Sequence, residues 1–200
     1  MMPFFAVLAA YLIGSIPFGF LLVKWRSGGD IREKGSGNTG ATNVLRTAGP
    51  AAGIATLILD IGKGYLAVWL AGRWSSDSPF WMGLAVLAVM FGHTYPLFLG
   101  FRGGKAVACF LGGFLRLAPL SILAIVIVFV AVVAWSRHIS LGSIIAAGTL
   151  PLALWLIDKA ALDVILASIA AAILIIVRHR ENIHRLHEGT ERVLSWGAHR

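Results

Sequence analysis

Three polar segments interrupt an otherwise apolar sequence, and each contains residues that are suited to binding phosphate. The first covers residues 26–47, and its glycines, small polar side chains and arginine are Gly35, Ser36, Gly37, Asn38, Gly40, Thr42, Asn43 and Arg46. Glycine lets backbone amides approach an anion closely, and a guanidinium can donate two parallel hydrogen bonds to phosphate. The alternative interpretation is an ordinary solvated loop between helices, where glycine and serine are also common.

The second polar segment, residues 92–106, runs into an apolar stretch, and its phosphate-binding candidates are Gly100, Gly103, Gly104 and Lys105. Free backbone amides, the positive N-terminus of the following helix and an ammonium group could together hold a phosphate. The segment is not a Walker A loop, because Leu99 and Ala106 stand where that motif needs glycine and serine or threonine. Nucleotide hydrolysis is therefore disfavoured, and a glycine hinge with basic membrane anchors is the competing interpretation.

The third polar segment, residues 178–191, is rich in basic side chains. On a continuous helix, Arg178, Asn182 and Arg185 share one face and could contact one ligand. A basic helix beside a membrane is also commonly a lipid-surface anchor, and this alternative stays open. Earlier in the chain, Ser140 and Ser143 begin an apolar stretch, where small hydroxyls either cap a helix or contact a ligand.

The composition places these segments in a membrane protein. Apolar residues make up 58% of the 200 residues and charged residues 13%, against about 25% in soluble domains. The mean hydropathy of +0.83 and several long apolar runs indicate a chain that lies in lipid. The net charge of +8 does not indicate nucleic-acid binding, because no aromatic-rich basic groove accompanies it. Basic residues are instead typical of the cytoplasmic loops of membrane proteins.

Apolar stretches in lipid can only be helical, because a helix satisfies its backbone polar groups internally. The sequence therefore predicts an all-α, polytopic membrane protein of about seven transmembrane helices, in a single domain over residues 1–200. The helices are expected near residues 3–23, 49–71, 79–91, 106–118, 120–135, 141–157 and 164–177. The stretch 106–118 is short for a bilayer, so a five-helix topology with a re-entrant short pair is the alternative. The first stretch is expected to be a retained span rather than a signal peptide.

Most of the 17 basic residues fall in alternate connections and in the tail, which extends to Arg200. By the positive-inside rule, the N-terminus lies outside and the C-terminus in the cytoplasm, as do all three polar segments. Inside the second predicted helix, Asp60 and Lys63 are three residues apart and can pair on one face. Buried ions in lipid are costly, and we expect this pair to brace the site.

Taken together, the polar segments resemble the PlsY family of acyl-phosphate-dependent glycerol-3-phosphate acyltransferases. The resemblance rests on Gly-Ser-Gly-Asn-Thr-Gly-Ala-Thr-Asn-Val-Leu-Arg from residue 35, on Gly-His-Thr-Tyr-Pro followed by Gly-Gly-Lys, and on Arg-His-Arg-Glu-Asn-Ile-His-Arg-Leu followed by Gly-Thr-Glu. It spans nearly the whole chain in order. Ala106 departs from the family, which usually carries glycine after Gly-Gly-Lys, and the added methyl could tighten this loop.

The resemblance implies transfer of a fatty acyl group from acyl phosphate to the 1-hydroxyl of sn-glycerol 3-phosphate, giving lysophosphatidate and phosphate. It implies a bacterial inner-membrane enzyme with a cytoplasmic active site, and a monomer is the expected state. The expected catalytic residues around the glycerol phosphate are Ser36, Arg46, Lys105, His179 and Asn182. The further expected substrate contacts are Gly37, Asn38, Thr42, Asn43, Gly100, Gly103, Gly104, Ser143, Arg178, Glu181 and Arg185.

No residue pattern indicates a protein base or a cofactor. No histidine is followed five residues later by aspartate, the dyad that acyltransferases with thioester donors commonly use. We therefore expect substrate-assisted catalysis, in which the phosphate dianion of glycerol phosphate accepts the hydroxyl proton. No aspartate or His/Cys group has metal-ligand spacing, so activity without a metal is expected.

Two other classes of protein are less consistent with the sequence. A transporter or channel for organic anions is the main alternative, but it would be expected to show paired repeats and broken helices in matching halves. A CDP-alcohol phosphotransferase would need an aspartate-rich metal motif, which the sequence lacks. The acyltransferase interpretation is therefore preferred.

Overall fold

The structure, a computed structural model, describes residues 1–194, and every regular element among them is helical. Residues 195–200, including Arg200 of the predicted tail, lie outside the described residues. In chain order, the helices are α1 (Met2–Gly14), α2 (Phe18–Ser27), α3 (Ala41–Ala48), α4 (Pro50–Ser75), α5 (Pro79–Thr94), α6 (Val107–Leu117), α7 (Pro119–Ser136), α8 (Ile139–Ala153), α9 (Leu162–Arg178) and α10 (Arg180–His187). Single turns of 3₁₀ helix lie at Ile31–Glu33 and Leu97–Leu99, and a π-helical turn lies at Leu154–Asp158.

All seven predicted apolar stretches are helical, which confirms the all-α membrane fold. Within residues 1–194, five helical stretches are long and apolar enough to cross a bilayer when α1 is taken with α2 and when α5 and α8 are taken with the short turns that follow them: Met2–Ser27, Pro50–Ser75, Pro79–Leu99, Pro119–Ser136 and Ile139–Asp158. The bent pair of α9 and α10 would make a sixth. Helix α6 has 11 residues, or about 16 Å of helix, which is short against a hydrocarbon core of about 30 Å. The number of spans and their orientation therefore remain predictions.

Two boundaries differ from the predicted ones. The stretch expected at residues 3–23 is broken between α1 and α2, because Pro17 has no amide hydrogen and restricts the residue before it. The second half of the first polar segment, expected to be a loop, forms α3 instead. This helix begins after Gly40 and ends at Ala48, directly before Gly49, whose φ of 91° favours glycine.

The chain forms two compact units, Met1–Leu117 and Ala118–Arg200. The expectation of a single domain is not tested by this division and stays a prediction. The first two polar segments belong to the first unit and the third polar segment to the second.

In the first unit, glycines bring helices into direct backbone contact. A Cβ on Gly64 of α4 would overlap the backbone of Cys109 in α6, and a Cβ on Gly112 of α6 would overlap the carbonyl of Ile61 in α4. Small residues commonly let the backbones of membrane helices approach in this way. The start of α6, and with it the second polar segment, is therefore fixed against α4.

In the second unit, the tail folds back onto the turn between α7 and α8. The carbonyl of Arg137 accepts the amide of Leu194 at 2.7 Å, and its guanidinium donates to the Leu194 carbonyl at 3.2 Å. At the other end of α7, the Asp158 carboxylate accepts the backbone amide of Ser121 at 2.8 Å and so caps the helix. The third polar segment is thus held at both ends: α9 precedes it, and the contact of Leu194 with the turn between α7 and α8 follows it.

Candidate active site

Asn43 organises the first polar segment from inside. The residue is buried, and its amide nitrogen donates to the carbonyls of Lys34 at 3.0 Å and Asn38 at 2.8 Å. Its side-chain oxygen accepts the amide of Ser36 at 3.0 Å. One side chain therefore fixes the loop on both sides of Ser36, which is itself exposed. The expected contact of Asn43 with substrate stays a prediction, since its hydrogen bonds described here all serve the loop.

The glycines of this loop are required by its shape. Gly35 and Gly37 have left-handed φ values of 62° and 70°, which residues with side chains rarely adopt. A Cβ on Gly35 would also overlap the side chain of Asn43, and the amide of Gly37 donates to the carbonyl of Lys34 at 3.0 Å. The sequence suggested that these glycines expose amides to an anion, but the structure gives them a conformational role.

Thr42 and Arg46 lie on α3, four residues apart and therefore on one helical face. Asn38 turns the chain into this helix, because its side-chain oxygen accepts the amide of Gly40 at 2.8 Å. Arg46 is exposed and Thr42 half-buried. A guanidinium and a hydroxyl on one short helix can bind the oxygens of a single phosphate.

In the second polar segment, the amides of both central glycines donate to carbonyls of the protein. The amide of Gly103 lies 3.1 Å from the carbonyl of Thr94, and the amide of Gly104 lies 3.0 Å from the carbonyl of His93. A Cβ on Gly104 would overlap the His93 imidazole. The expectation of free amides at these glycines is therefore wrong, because close packing on His93 is what requires them. Their place among the substrate contacts stays a prediction.

The same loop has left-handed backbone at both ends. Phe101 has a φ of 63° and Ala106 a φ of 60°. Such backbone costs an L-residue roughly 1–2 kcal/mol, so the loop is strained near its beginning and at its end. Ala106 stands where the family that the sequence resembles usually has glycine, which would adopt this φ at little cost. Lys105 directly precedes this strained position, so the loop's conformation sets where its ammonium lies.

Asp60 and Lys63 form the predicted buried ion pair. Lys63 Nζ lies 2.9 Å from Asp60 Oδ1 and donates to the carbonyl of Ile16 at 2.8 Å. His93 Nδ1 faces the same Asp60 oxygen at 3.6 Å. The pairing is confirmed, and the structure adds His93 as a third member that the sequence did not indicate.

Asp60, His93 and Cys109 also make up a group of potential metal ligands, with donor atoms within 4.8 Å of one another. They lie on three different helices and are far apart in sequence, so a search for ligand spacing could not find them. The Lys63 ammonium already neutralises the Asp60 carboxylate, which disfavours a second cation there. Activity without a metal stays a prediction.

The third polar segment is not one continuous helix. Helix α9 ends at Arg178 and α10 begins at Arg180, and the two axes differ by 59°. The prediction that Arg178 shares a helical face with Asn182 and Arg185 is therefore wrong, because the face is interrupted between them. Asn182 and Arg185 do lie together on α10.

His179 lies at the break between α9 and α10, and only 3% of it is exposed. Its Nδ1 is 2.8 Å from the carbonyl oxygen of Ile175. Because a carbonyl can only accept, Nδ1 carries a proton, and Nε2 is the acceptor in the neutral ring. The bond to α9 fixes both the tautomer and the direction of the imidazole.

Glu191 joins the side chains of the third polar segment and the start of α8. Its carboxylate accepts from Ser140 Oγ at 2.8 Å, from Asn182 Nδ2 at 2.6 Å and from Arg185 Nε at 2.7 Å. Burial raises the pKa of this carboxyl, but the hydrogen bonds from Asn182, Arg185 and Ser140 outweigh it and hold the pKa below its usual range. Ser143, the other expected residue of α8, donates to the carbonyl of Ile139 at 2.9 Å.

The structure places Glu181 and Glu191 differently, and the expected contact of Glu181 with substrate stays a prediction. Glu181, the expected substrate contact, has a side chain that is 75% exposed, and it approaches the Arg180 guanidinium only at 3.9 Å. Glu191 was not among the expected site residues, although it ends the Gly-Thr-Glu motif of the resemblance. The contacts of Glu191 with Asn182 and Arg185 depend on the tail folding back after α10, which the sequence alone does not indicate.

The helical fold and the polar segments define the class of this protein, a polytopic integral membrane protein. A family model for glycerol-3-phosphate acyltransferase matches residues 4–189. A glycerol-3-phosphate acyltransferase of Geobacter sulfurreducens is 50% identical over 182 residues, which cover 91% of this chain and 92% of that protein. Another, of Geotalea daltonii, is 48% identical over 187 residues, which cover 94% of this chain and 95% of that protein.

Two solved structures are also similar to the whole chain. A crystal structure of PlsY, described as an integral membrane glycerol 3-phosphate acyltransferase in its glycerol 3-phosphate form, has a TM-score of 0.92 and 39% identity, covering 98% of this chain and 96% of that one. The lysophosphatidic acid form of PlsY has a TM-score of 0.89 and 38% identity over the same shares. The chain therefore belongs to the glycerol-3-phosphate acyltransferase family.

Replacing Glu191 with Gln should destabilise the second unit. The variant loses charge-assisted hydrogen bonds, and we expect a cost of about 1–2 kcal/mol and a melting temperature lower by a few degrees. Glu188→Gln is the matched control, because that side chain is 48% exposed and contacts only His184 among the described ion pairs. Thermal unfolding in detergent measures both.

The pH dependence gives this prediction a sign. Because folding lowers the Glu191 pKa, its stabilisation is complete above the ordinary value of about 4.3 and is lost as the pH falls through the lowered value. The stability difference between the natural protein and Glu191→Gln should therefore be constant from pH 8 to about 5 and shrink only below that. A difference that already disappears near neutral pH would contradict the assignment.

Proposed function

We propose that the chain transfers a fatty acyl group from acyl phosphate to the 1-hydroxyl of sn-glycerol 3-phosphate, giving lysophosphatidate and inorganic phosphate. The reaction would be the first acylation of phospholipid synthesis, at the cytoplasmic face of the bacterial inner membrane. The observation that carries the proposal is the likeness over 98% of the chain to a PlsY structure described in its glycerol 3-phosphate form. The donor rests on the resemblance of the motifs to the acyl-phosphate-dependent enzymes.

The cationic side chains of the first unit are proposed to bind phosphate. Arg46 offers two parallel hydrogen-bond donors on the exposed face of α3, and Lys105 offers an ammonium two residues before the start of α6. The positive N-terminus of α6 adds to the attraction for an anion. Ser36 is proposed to donate to the glycerol phosphate, and its support is the buried Asn43 that holds its backbone.

In the second unit, His179 and Asn182 are proposed to contact the glycerol phosphate. Asn182 gives one amide hydrogen to Glu191, which fixes the plane of the amide group. His179 is fixed through its bond to the Ile175 carbonyl, so its Nε2 can orient a substrate hydroxyl. Fixed groups of this kind lower the cost of ordering substrate, because little side-chain freedom is lost on binding.

The reaction proposed here needs no covalent enzyme intermediate. The 1-hydroxyl oxygen attacks the acyl carbonyl carbon, a new ester C–O bond forms, and the C–O bond to the phosphate leaving group breaks. The hydroxyl proton passes to the phosphate dianion of glycerol phosphate itself, and the second pKa of such a phosphate monoester is about 6. Cations and amides stabilise the negative charge on the carbonyl oxygen and on the departing phosphate. The acyl chain can remain in the bilayer throughout.

One assay tests the donor. Purified protein receives labelled glycerol 3-phosphate with acyl phosphate, acyl-CoA or acyl-ACP in turn, each with and without EDTA. We expect labelled lysophosphatidate only when the donor is acyl phosphate, and we expect the rate with EDTA to equal the rate without it. Product from acyl-CoA but none from acyl phosphate would overturn the donor assignment, and loss of activity in EDTA would overturn the metal-free mechanism.

Arg46→Lys should raise the KM for glycerol 3-phosphate by roughly tenfold or more, because a charge remains but the paired donors are lost. Arg26→Lys is the control, since Arg26 is also exposed but lies at the end of α2, outside the proposed contacts. Initial rates over a range of glycerol 3-phosphate concentrations give the KM of each variant. An unchanged KM in Arg46→Lys would place Arg46 outside the glycerol phosphate subsite.

His179→Asn should keep a measurable rate. If the residue orients the hydroxyl and the substrate phosphate takes the proton, we expect kcat to fall by less than roughly 100-fold, whereas general-base catalysis contributes up to about 10⁴-fold. The measurement is kcat at saturating substrates, with circular dichroism as the check on folding. A folded variant that binds glycerol 3-phosphate normally but shows no turnover would favour His179 as the base.

A further inference from the structure

We propose that Lys63, Asp60 and His93 form a buried positioning relay that sets the conformation of residues 100–106. The inference rests on the proposed function, because the resemblance to the acyl-phosphate-dependent enzymes implies that residues 100–105 hold the phosphate group of acyl phosphate. The three side chains are buried, and the contacts described for them are with one another and with other protein groups, among them the backbone of this loop. They are positioning residues, in a region of the first unit for which the sequence predicted only a structural ion pair.

His93 is the member that contacts the loop. Its imidazole Nε2 is the atom nearest to the point where Gly104 would carry a Cβ, so ring and backbone are in van der Waals contact. Its carbonyl accepts the amide of the same Gly104 at 3.0 Å, and the carbonyl of the next residue, Thr94, accepts the amide of Gly103 at 3.1 Å. The end of α5 therefore supports the two residues that precede Lys105.

The loop needs such support because it is strained. Phe101 and Ala106 have left-handed φ values of 63° and 60°. Backbone in sparsely populated regions persists only where the surrounding structure over-determines it. If the support at Gly104 is removed, the strain at Ala106 can relax, and Lys105 between them moves. A shift of about 1 Å in a binding group is enough to change substrate affinity or rate strongly.

Asp60 and Lys63 hold the imidazole in place. Asp60 Oδ1 faces His93 Nδ1 at 3.6 Å, an electrostatic contact that is longer than a hydrogen bond. The same oxygen lies 2.9 Å from Lys63 Nζ, and this ammonium donates to the carbonyl of Ile16 at 2.8 Å. The chain of contacts therefore runs from the break between α1 and α2, through α4, to the end of α5 and the loop.

A double-mutant cycle of His93→Ala and Gly104→Ala tests the contact between ring and loop. Each single variant should raise the KM for the acyl donor by roughly tenfold, the first by removing the support and the second by colliding with it. Once the ring is absent, Gly104→Ala should add less than about twofold, because the space for its Cβ is then free. If His93→Ala is not recovered folded, His93→Asn replaces it in the same cycle.

The cycle distinguishes positioning from a merely structural role. A structural role would lower the active fraction, and hence the apparent kcat, while the KM of the remaining enzyme stayed at the natural value. Effects of the two substitutions that simply multiply would mean that ring and glycine act independently. Either result would overturn the relay.

Asp60→Asn and Cys109→Ser complete the test. Asp60→Asn keeps the side-chain volume but loses the charge that orients His93, and it should raise the KM for the acyl donor. Cys109→Ser should leave this KM unchanged, because Cys109 does not contact the loop in any described bond. If Cys109→Ser instead matches His93→Ala, and elemental analysis finds a metal in the natural protein that both variants lack, the group is a metal site and the relay is wrong.

The donor in these assays is the one that supports turnover in the donor experiment. A wrong acyl-phosphate assignment would therefore appear in the natural protein, and a wrong relay only in the variants. Coupled KM effects in the cycle together with a neutral Cys109→Ser are the expected result. Uncoupled effects, or unchanged KM values in His93→Ala and Asp60→Asn, would overturn it.

Discussion

Hydrocarbon offers no hydrogen-bond partner to a peptide group. Where the backbone leaves a helix near the membrane, its N–H and C=O groups must therefore find hydrogen-bond partners within the protein. The first two polar segments each meet this requirement through a buried residue. Asn43 binds backbone groups on both sides of Ser36 in the first, and the carbonyl of His93 accepts the amide of Gly104 in the second. In the third, Glu191 binds side chains instead, those of Asn182 and Arg185 and that of Ser140 on α8. The residues expected to meet substrate are arranged around these supports.

This division of roles has an electrostatic consequence. Lys63 and Asp60 form a neutral pair, and Glu191 offsets the charge of Arg185. Structural ion pairs of this kind hold the fold without adding to the field outside it. Attraction for the two anionic substrates of the proposed reaction would therefore come from basic residues outside these pairs, which are available because the chain has 17 basic and 9 acidic residues.

The sequence predicted the parts of the fold that depend on hydropathy and local spacing. The helices follow from long apolar runs, and the Asp60–Lys63 pair follows from a spacing of three within one helix. The break at His179 had no proline or glycine to indicate it, so the face shared by Arg178 and Asn182 was wrongly assumed to be continuous. Contacts between distant parts of the chain, such as that of Glu191 with Ser140, could not be predicted because local spacing carries no information about them.

Residue type also failed to separate supports from ligand-binding groups. An asparagine, a histidine and a glutamate are equally suited to binding substrate and to satisfying a loop, and only their contacts in the folded chain distinguish the two roles. Asn43 was expected among the contacts, whereas Glu191 was overlooked in favour of the exposed Glu181. Glycine misled in a similar way, because Gly103 and Gly104 are needed for packing against α5 rather than for free amides.

Ala106 shows how a local cost and a distant support depend on each other. A glycine at this φ of 60° would be nearly free of strain but would also let the loop adopt many conformations before substrate binds. Alanine narrows that ensemble and adds strain of roughly 1 kcal/mol, which only a rigid neighbour can hold. The end of α5 is such a neighbour, because His93 is fixed by charge on one side and packs on Gly104 on the other. A methyl group at residue 106 is therefore compatible with an ordered loop only where His93, which packs on the loop at Gly104, is itself held in one position.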